Sequence, residues 1–278
     1  MLSVTQPQTT NEINYSAVKE KQRATWGSGD YGRIGVTLQI SGEQLCEAMD
    51  VKSGETVLDV AAGNGNVTLA AARRFCLVTS TDYVEALLEQ SKKRAEAEGL
   101  DISYQFADAE DLPFDNNCFD NVVSTFGVMF TPNQCQSAAE LMRVCKPGGK
   151  IGLANWTPEG FVGQLFKLIG SYVAPPAGVK SPALWGTRAF IDEQFGPQAS
   201  EITYRTREFN FRFCSPQHWI DLFRTYYGPV HKAFGALDEA KAAQLEQDIH
   251  QLIARFDRGQ GKGMVVPSEY LEIVVQKR

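Results

Sequence analysis

The sequence predicts an α/β domain whose centre is a doubly wound, parallel sheet. Three observations predict it. Short apolar runs alternate with longer amphipathic ones through residues 51–156, an order that gives parallel strands with helices on both faces. The run Val57-Leu58-Asp59-Val60 passes through Ala61-Ala62-Gly63-Asn64-Gly65-Asn66 into Val67–Arg74, so strand, glycine turn and helix follow one another directly. Such a turn lets backbone approach a ligand closely, and it lies at the carboxyl ends of the strands. Finally, acids sit at three successive strand ends: Asp59, Asp82 and Asp108.

The elements follow in order. Residues 1–14 are polar, without a basic region or an apolar stretch, and read as a disordered tail rather than a secretory signal. Residues 15–50 read as an N-terminal lid and helix. An amphipathic helix over Tyr15–Trp26 meets the turn Trp26-Gly27-Ser28-Gly29-Asp30-Tyr31-Gly32, and a second helix spans Gly35–Met49. After the first strand and its helix, Leu77–Thr81 is a second strand that ends in Asp82. Val84–Glu98 is a helix with Gly99 as its C-cap. The third strand, Ile102–Phe106, opens into Ala107–Phe114. Phe119–Ser124 is the fourth, Gln134–Cys145 a helix halted before Pro147, and Lys146–Ile151 a turn into the fifth.

Beyond Trp156 the pattern changes, and residues 157–278 read as helices with the final strands. Helices are predicted over Phe161–Val173, Pro216–Tyr227 and Leu237–Arg258, and strands over Glu208–Phe213 and Tyr270–Val275. Leu245, Ile249, Leu252, Ile253 and Phe256 form an apolar stripe on the last helix.

Composition narrows the function. The 278 residues are 43% hydrophobic and 22% charged, ordinary for a soluble domain. A net charge of −6 argues against a nucleic-acid partner, which wants a basic face. The six cysteines are scattered with no C-x-x-C, so they read as reduced thiols of a cytoplasmic protein, not as a zinc site or a disulfide framework. No apolar run approaches the ~18 residues of a membrane span.

The turn itself selects its ligand. A dinucleotide fingerprint needs Gly-x-Gly-x-x-Gly/Ala, and here Gly63 and Gly65 are followed by Thr68. Asp59 beside the turn repels a pyrophosphate but accepts from an ammonium group. S-adenosylmethionine carries such a group and no phosphate. Asp82, 17 residues beyond Gly65, is placed to accept from ribose hydroxyls, and Asp108 from an adenine amino group. Solvated acids are also common at strand ends, though three in succession are harder to explain that way.

Residues 55–156 resemble the core of class I S-adenosylmethionine-dependent methyltransferases, in the subgroup of the ubiquinone and menaquinone C-methyltransferases. Val57–Gly65, Asp82, Ala107–Phe114, Phe119–Ser124 and Lys146–Ile151 carry the likeness in order. Ala61 departs from it, since many relatives have glycine there. The resemblance implies a Rossmann-like, seven-stranded sheet with an antiparallel last strand and a helical cap. It implies cofactor contacts from Ala61, Gly63, Gly65, Tyr83, Ala107, Ala109, Glu110 and Thr125 beside the three acids. It further implies a lid that brings Trp26 or Tyr31 to the methionine end.

Phe126, Met129, Phe130 and Trp156 follow ligand-side strand ends and are the candidate acceptor residues, although aromatics also serve plain core packing. Of the three histidines, His218 at a helix start and His231 are candidate bases, and the reading leaves a catalytic base unassigned. No metal site is expected. The place of an Asn/Asp-Pro-Pro-Tyr/Phe motif holds Ser124-Thr125-Phe126-Gly127, which disfavours nucleobase amino groups. The expected protein is a monomeric or homodimeric methyltransferase for a small apolar or aromatic metabolite, acting on carbon or oxygen. Two alternatives stay open: a binder of the cofactor that transfers no methyl, and a nicotinamide-dependent oxidoreductase.

Overall fold

A computed structural model describes residues 13–278. The tail expected over residues 1–14 lies outside the described residues apart from Ile13 and Asn14, and Asn14 caps the first helix by accepting from Ala17 N.

Seven strands form one sheet: β1 Thr56–Val60, β2 Leu77–Asp82, β3 Ser103–Phe106, β4 Phe119–Thr125, β5 Cys145–Trp156, β6 Ala199–Phe213 and β7 Met264–Lys277. Their order is β3-β2-β1-β4-β5-β7-β6. The pairs β1–β2, β1–β4, β2–β3 and β4–β5 are parallel, and β7 slots antiparallel between β5 and β6. The antiparallel last strand is thus internal, with β6 at the edge. Strand order reverses between β1 and β4, and a crevice opens there at the carboxyl ends of the strands.

The helices are α1 Tyr15–Trp26, α2 Gly32–Gly35, α3 Gln39–Met49, α4 Asn66–Ala72, α5 Glu85–Glu98, α6 Gln134–Val144, α7 Phe161–Tyr172, α8 Arg188–Phe195, α9 Pro216–Tyr226, α10 Gly228–Gly235 and α11 Glu239–Phe256. β1 is buried on both faces because helices cover them; Val57, Leu58 and Val60 are buried, as is the one acid among them, Asp59. α5 stops at Gly99, whose φ of 66° ordinary side chains rarely adopt. α9 starts where Ser215 Oγ accepts from His218 N at 3.1 Å, with Pro216 preset for the first turn. The α11 stripe buries Leu245, Ile249, Leu252 and Ile253.

Three departures from the sequence pattern have physical causes. The single helix expected over Gly35–Met49 is broken into α2, a 3₁₀ turn over Val36–Leu38, and α3. At the break, Asn66 Nδ2 donates to the Gly35 carbonyl at 2.7 Å, tying it to the turn after β1. β6 begins at Ala199, not Glu208, because β7 pairs with it along its whole length; on an edge strand the polar run Ser200–Arg207 needs no apolar alternation. α8 and α10 were not expected, each being only 8 residues long. α8 packs on α6 and β6 at the flank of the sheet, whereas α7, α9, α10 and α11 pack together, with α1 against α10.

Candidate active site

The crevice is lined from both sides. The sheet contributes Ala61–Asn64 after β1, Asp82 and Tyr83 after β2, Ala107–Ala109 after β3, Thr125–Gly127 after β4 and Trp156 from β5. Trp26 and Tyr31 come from the N-terminal segment, Val162 and Leu165 from α7, and Phe211, Phe223 and Tyr227 from β6, α9 and the α9–α10 junction. The space amounts to about 1120 Å³, part of it open to solvent.

The turn after β1 forms the floor. Ala61 holds φ 53° and Gly63 φ 56°, so a non-glycine residue sits left-handed in the turn. That conformation costs ~1–2 kcal/mol for an L residue. Asp82 anchors the turn: its Oδ2 accepts from Gly63 N and its Oδ1 from Val84 N, both at 2.9 Å. Burial pushes the Asp82 carboxyl up to about 6. Asn64 Nδ2 is a buried donor with no partner.

Asp108 is engaged as well. Its Oδ1 accepts from Glu110 N at 2.9 Å, and Lys19 Nζ of α1 donates to its Oδ2 at 2.6 Å. The N-terminal segment lies over the cavity through this contact, through Gln22 Nε2 donating to Phe130 O at 2.9 Å, and through Trp26. The Trp26 ring meets Phe130 at 4.8 Å and both Tyr31 and Tyr227 at 5.7 Å. At the β4–β5 end the walls are aromatic, with Phe126 stacked on Trp156 at 4.0 Å and 10°.

Most of the sequence candidates meet here: Trp26, Tyr31, Ala61, Gly63, Asp82, Tyr83, Ala107, Asp108, Ala109, Thr125, Phe126, Phe130 and Trp156 all line the cavity. Six do not, each for a local reason. Gly65 faces α5, where a Cβ would stand 2.0 Å from Ser91 Oγ, so its smallness serves helix packing. Glu110 turns its carboxylate to Asn133 N at 2.7 Å and to Lys19 Nζ at 3.2 Å. Met129 is fully buried in the core beneath the turn after β4. His218 is exposed at the start of α9, its Nδ1 facing Cys214 N at 3.3 Å. His231 is exposed too, its Nδ1 3.0 Å from Arg224 O.

Asp59 is the sixth. It is fully buried behind the turn, and Thr68 Oγ1 donates to its Oδ2. Thr68, the residue that breaks the dinucleotide fingerprint, therefore exists to satisfy this carboxylate. Burial pushes Asp59 up to about 7. A carboxyl raised on folding stabilises the fold fully below its unfolded value, and that stabilisation is lost as pH rises through about 7. Asp59→Asn keeps an acceptor for Thr68 but cannot ionise. The variant should gain on the order of 1–3 kcal/mol over wild type near pH 8, a gain that vanishes towards pH 4. Thermal unfolding at both pH values measures it, and an equal difference at the two would contradict the assignment.

Sequence reasoning missed Asn64, Leu165, Phe211 and Gly127. Asn64 lay inside the recognised turn; the others reach the cavity only through tertiary packing. Among the described residues no helix is long and apolar enough to cross a membrane, and no cluster of His, Cys, Asp or Glu could hold a metal ion.

Comparison with known proteins agrees with this geometry. Residues 57–149 match the family described as a methyltransferase domain. An uncharacterized protein of Mycobacterium tuberculosis is 38% identical over 261 residues, 92% of this chain and 94% of its own. The demethylmenaquinone methyltransferase of Deinococcus radiodurans is 30% identical over 166 residues, 58% of this chain and 69% of its own. A crystal structure of a putative methyltransferase from Bacillus halodurans shares the fold. Its TM-score is 0.57 at 21% identity, covering 84% of this chain and 97% of that one. The chain belongs to the class I S-adenosylmethionine-dependent methyltransferases.

Proposed function

We propose that this protein methylates carbon or oxygen of a small, largely apolar or aromatic metabolite. The observation that carries the reading is the division of the cavity: hydrogen-bonding groups gather below β1–β3, and aromatic rings below β4 and β5. The groups at the first end fit the cofactor. Asp82 has lone pairs left over after its two backbone bonds and would accept from ribose hydroxyls. Asn64 Nδ2, unpartnered at the cavity wall, would donate to the methionine carboxylate, and the Ala61–Gly63 backbone would lie against the same end. Asp108 and Ala109 would meet the adenine edge, with Asp108 sharing its carboxylate with Lys19. Trp26 and Tyr31 would close over the methionine end as a lid.

The bound cofactor supplies an activated methyl group on a sulfonium sulfur. The chain then has to align the acceptor and keep water out, which the aromatic walls and the overlying α1 are built to do. The related methyltransferases named for demethylmenaquinone suggest a flat ring system, which the Phe126–Trp156 pair suits. The acidic balance of −6 speaks for a metabolite rather than a nucleic acid. The free cysteines among the described residues suit a cytoplasmic site, and a monomer or homodimer is the proposed assembly.

Formation of S-adenosylhomocysteine from S-adenosylmethionine with a library of phenols, naphthols and quinols tests this reading. Product is expected with flat hydroxylated acceptors. Trp156→Leu should lower kcat/KM by about 10-fold while S-adenosylhomocysteine affinity stays within about threefold, since only alignment is lost. Cofactor binding without product from any acceptor would favour a binding protein. Collapse of cofactor affinity in a folded Trp156→Leu would show the acceptor end to be misplaced.

A further inference from the structure

We propose that the Tyr227 hydroxyl, with that of Tyr31 beside it, is the polar anchor for the acceptor. The acceptor is then a neutral, flat aromatic molecule bearing a hydroxyl or carbonyl oxygen, not an ammonium, carboxylate or phosphate. This rests on the methyltransferase reading above.

The charge of the lining comes first. Among the described residues, its charged side chains are Asp82 and Asp108, and both belong to strand ends on the β2–β3 side. No described lysine, arginine or histidine lines the cavity. A carboxylate or phosphate on the β4–β5 side would be buried without a counterion, which costs several kcal/mol.

Tyr227 is held in place from every direction. It ends α9 and starts α10, its N donating to Phe223 O at 2.9 Å and its carbonyl accepting from His231 N at 2.8 Å. Its ring packs on Phe223 at 5.2 Å, Trp26 at 5.7 Å and Tyr31 at 6.3 Å. The residue is only 6% exposed. Yet among the described residues neither the Tyr227 nor the Tyr31 hydroxyl makes a hydrogen bond to protein, while both residues line the cavity. A rigid, buried hydroxyl facing an otherwise apolar chamber is the polar group that fixes a ligand's orientation. Tyr31 lies over Gly63, where a Cβ would meet its ring at 3.4 Å, so the pair spans the border between the two halves of the cavity.

Burial raises both phenols, Tyr31 to about 12, so they stay protonated and donate. They do not act as bases. A lone pair of the acceptor's oxygen, or the ring electron pair at its carbon, forms the bond to the methyl carbon while the pair of the broken carbon–sulfur bond stays on sulfur. The proton leaves to solvent after transfer, at the open side of the cavity.

Calorimetry with 1-naphthol, naphthalene and 1-naphthylmethylamine, each at saturating S-adenosylhomocysteine, tests the anchor. Wild type should bind 1-naphthol about 5–10-fold more tightly than naphthalene, the gain of one hydrogen bond, and should bind the cationic amine weakest. Tyr227→Phe should bring 1-naphthol down to the naphthalene level and leave naphthalene and S-adenosylhomocysteine unchanged. Equal losses for both aromatic probes, no change for 1-naphthol, tighter binding of the amine, or no binding of 1-naphthol to wild type would each overturn the proposal. Failure of S-adenosylhomocysteine to bind wild type would instead refute the methyltransferase reading beneath it.

Discussion

Asp82→Ala should weaken S-adenosylhomocysteine binding by about 10–150-fold. A charged acceptor lost from a buried site costs about 1.5–3 kcal/mol, which sets that range. The structure gives the carboxylate two tasks. It faces the cavity, and it pins Gly63 N and Val84 N at 2.9 Å each. Alanine would remove the proposed ribose acceptor and also free the turn that forms the floor. Asp82→Asn should fall between the two, because an amide offers one acceptor oxygen to donors that now use both. The same residue sets a pH dependence. Burial raises Asp82 to about 6, so wild-type affinity should fall as pH drops through that value and the acceptor becomes protonated. The acidic limb should disappear in Asp82→Ala. Calorimetry between about pH 5 and 8 reads both effects; wild-type affinity in the alanine variant would remove Asp82 from the site.

Gly127→Ala should be among the most damaging single methyls added to this fold. An added Cβ would stand 2.0 Å from Ala61 O and 2.8 Å from Ala61 Cβ. The obstacle is backbone, so no side chain can swing away. The turns after β1 and β4 would have to separate, and both are already held by left-handed residues, Ala61 at φ 53° and Phe126 at φ 56°. Overpacking of this kind costs about 1–3 kcal/mol and sometimes more. Cofactor affinity should fall by at least about 10-fold with it, since the displaced Ala61 carries the floor of the cavity. Gly170→Ala is the control: nothing lies within 4 Å of its added Cβ, and it sits inside helix α7, where alanine suits the backbone. Denaturant unfolding should leave the control at or above wild type and shift Gly127→Ala. Equal stability of the two variants would show that the turns have slack.

The parts of the site that were legible in the sequence are the parts made by local chemistry. The turn from β1 into α4 could be read because strand, glycines and helix are consecutive. Asp82 and Asp108 could be read because strand ends in a parallel sheet converge on one edge. Asp59 could not be placed correctly. Its position beside the turn says nothing of which way the carboxylate faces, and Thr68, nine residues later, draws it behind the turn. Gly65 was overread for the same reason: its φ of 84° and its contact with Ser91 answer to helix packing. The acceptor end was the least legible. Gly127 matters because of Ala61, and Tyr227 because α9 and α10 carry it back over β1, contacts between residues far apart in the chain. The edge strand β6 hid its first half because a solvated edge tolerates Ser200–Arg207 without an apolar pattern.

The most direct test of the account is a calorimetric titration of the wild-type chain with S-adenosylhomocysteine, run beside one with NAD⁺. The account predicts saturable binding of S-adenosylhomocysteine at one equivalent per chain and no measurable binding of the dinucleotide, whose pyrophosphate would meet no cation along the cavity wall. Binding of NAD⁺ with no uptake of S-adenosylhomocysteine would contradict it.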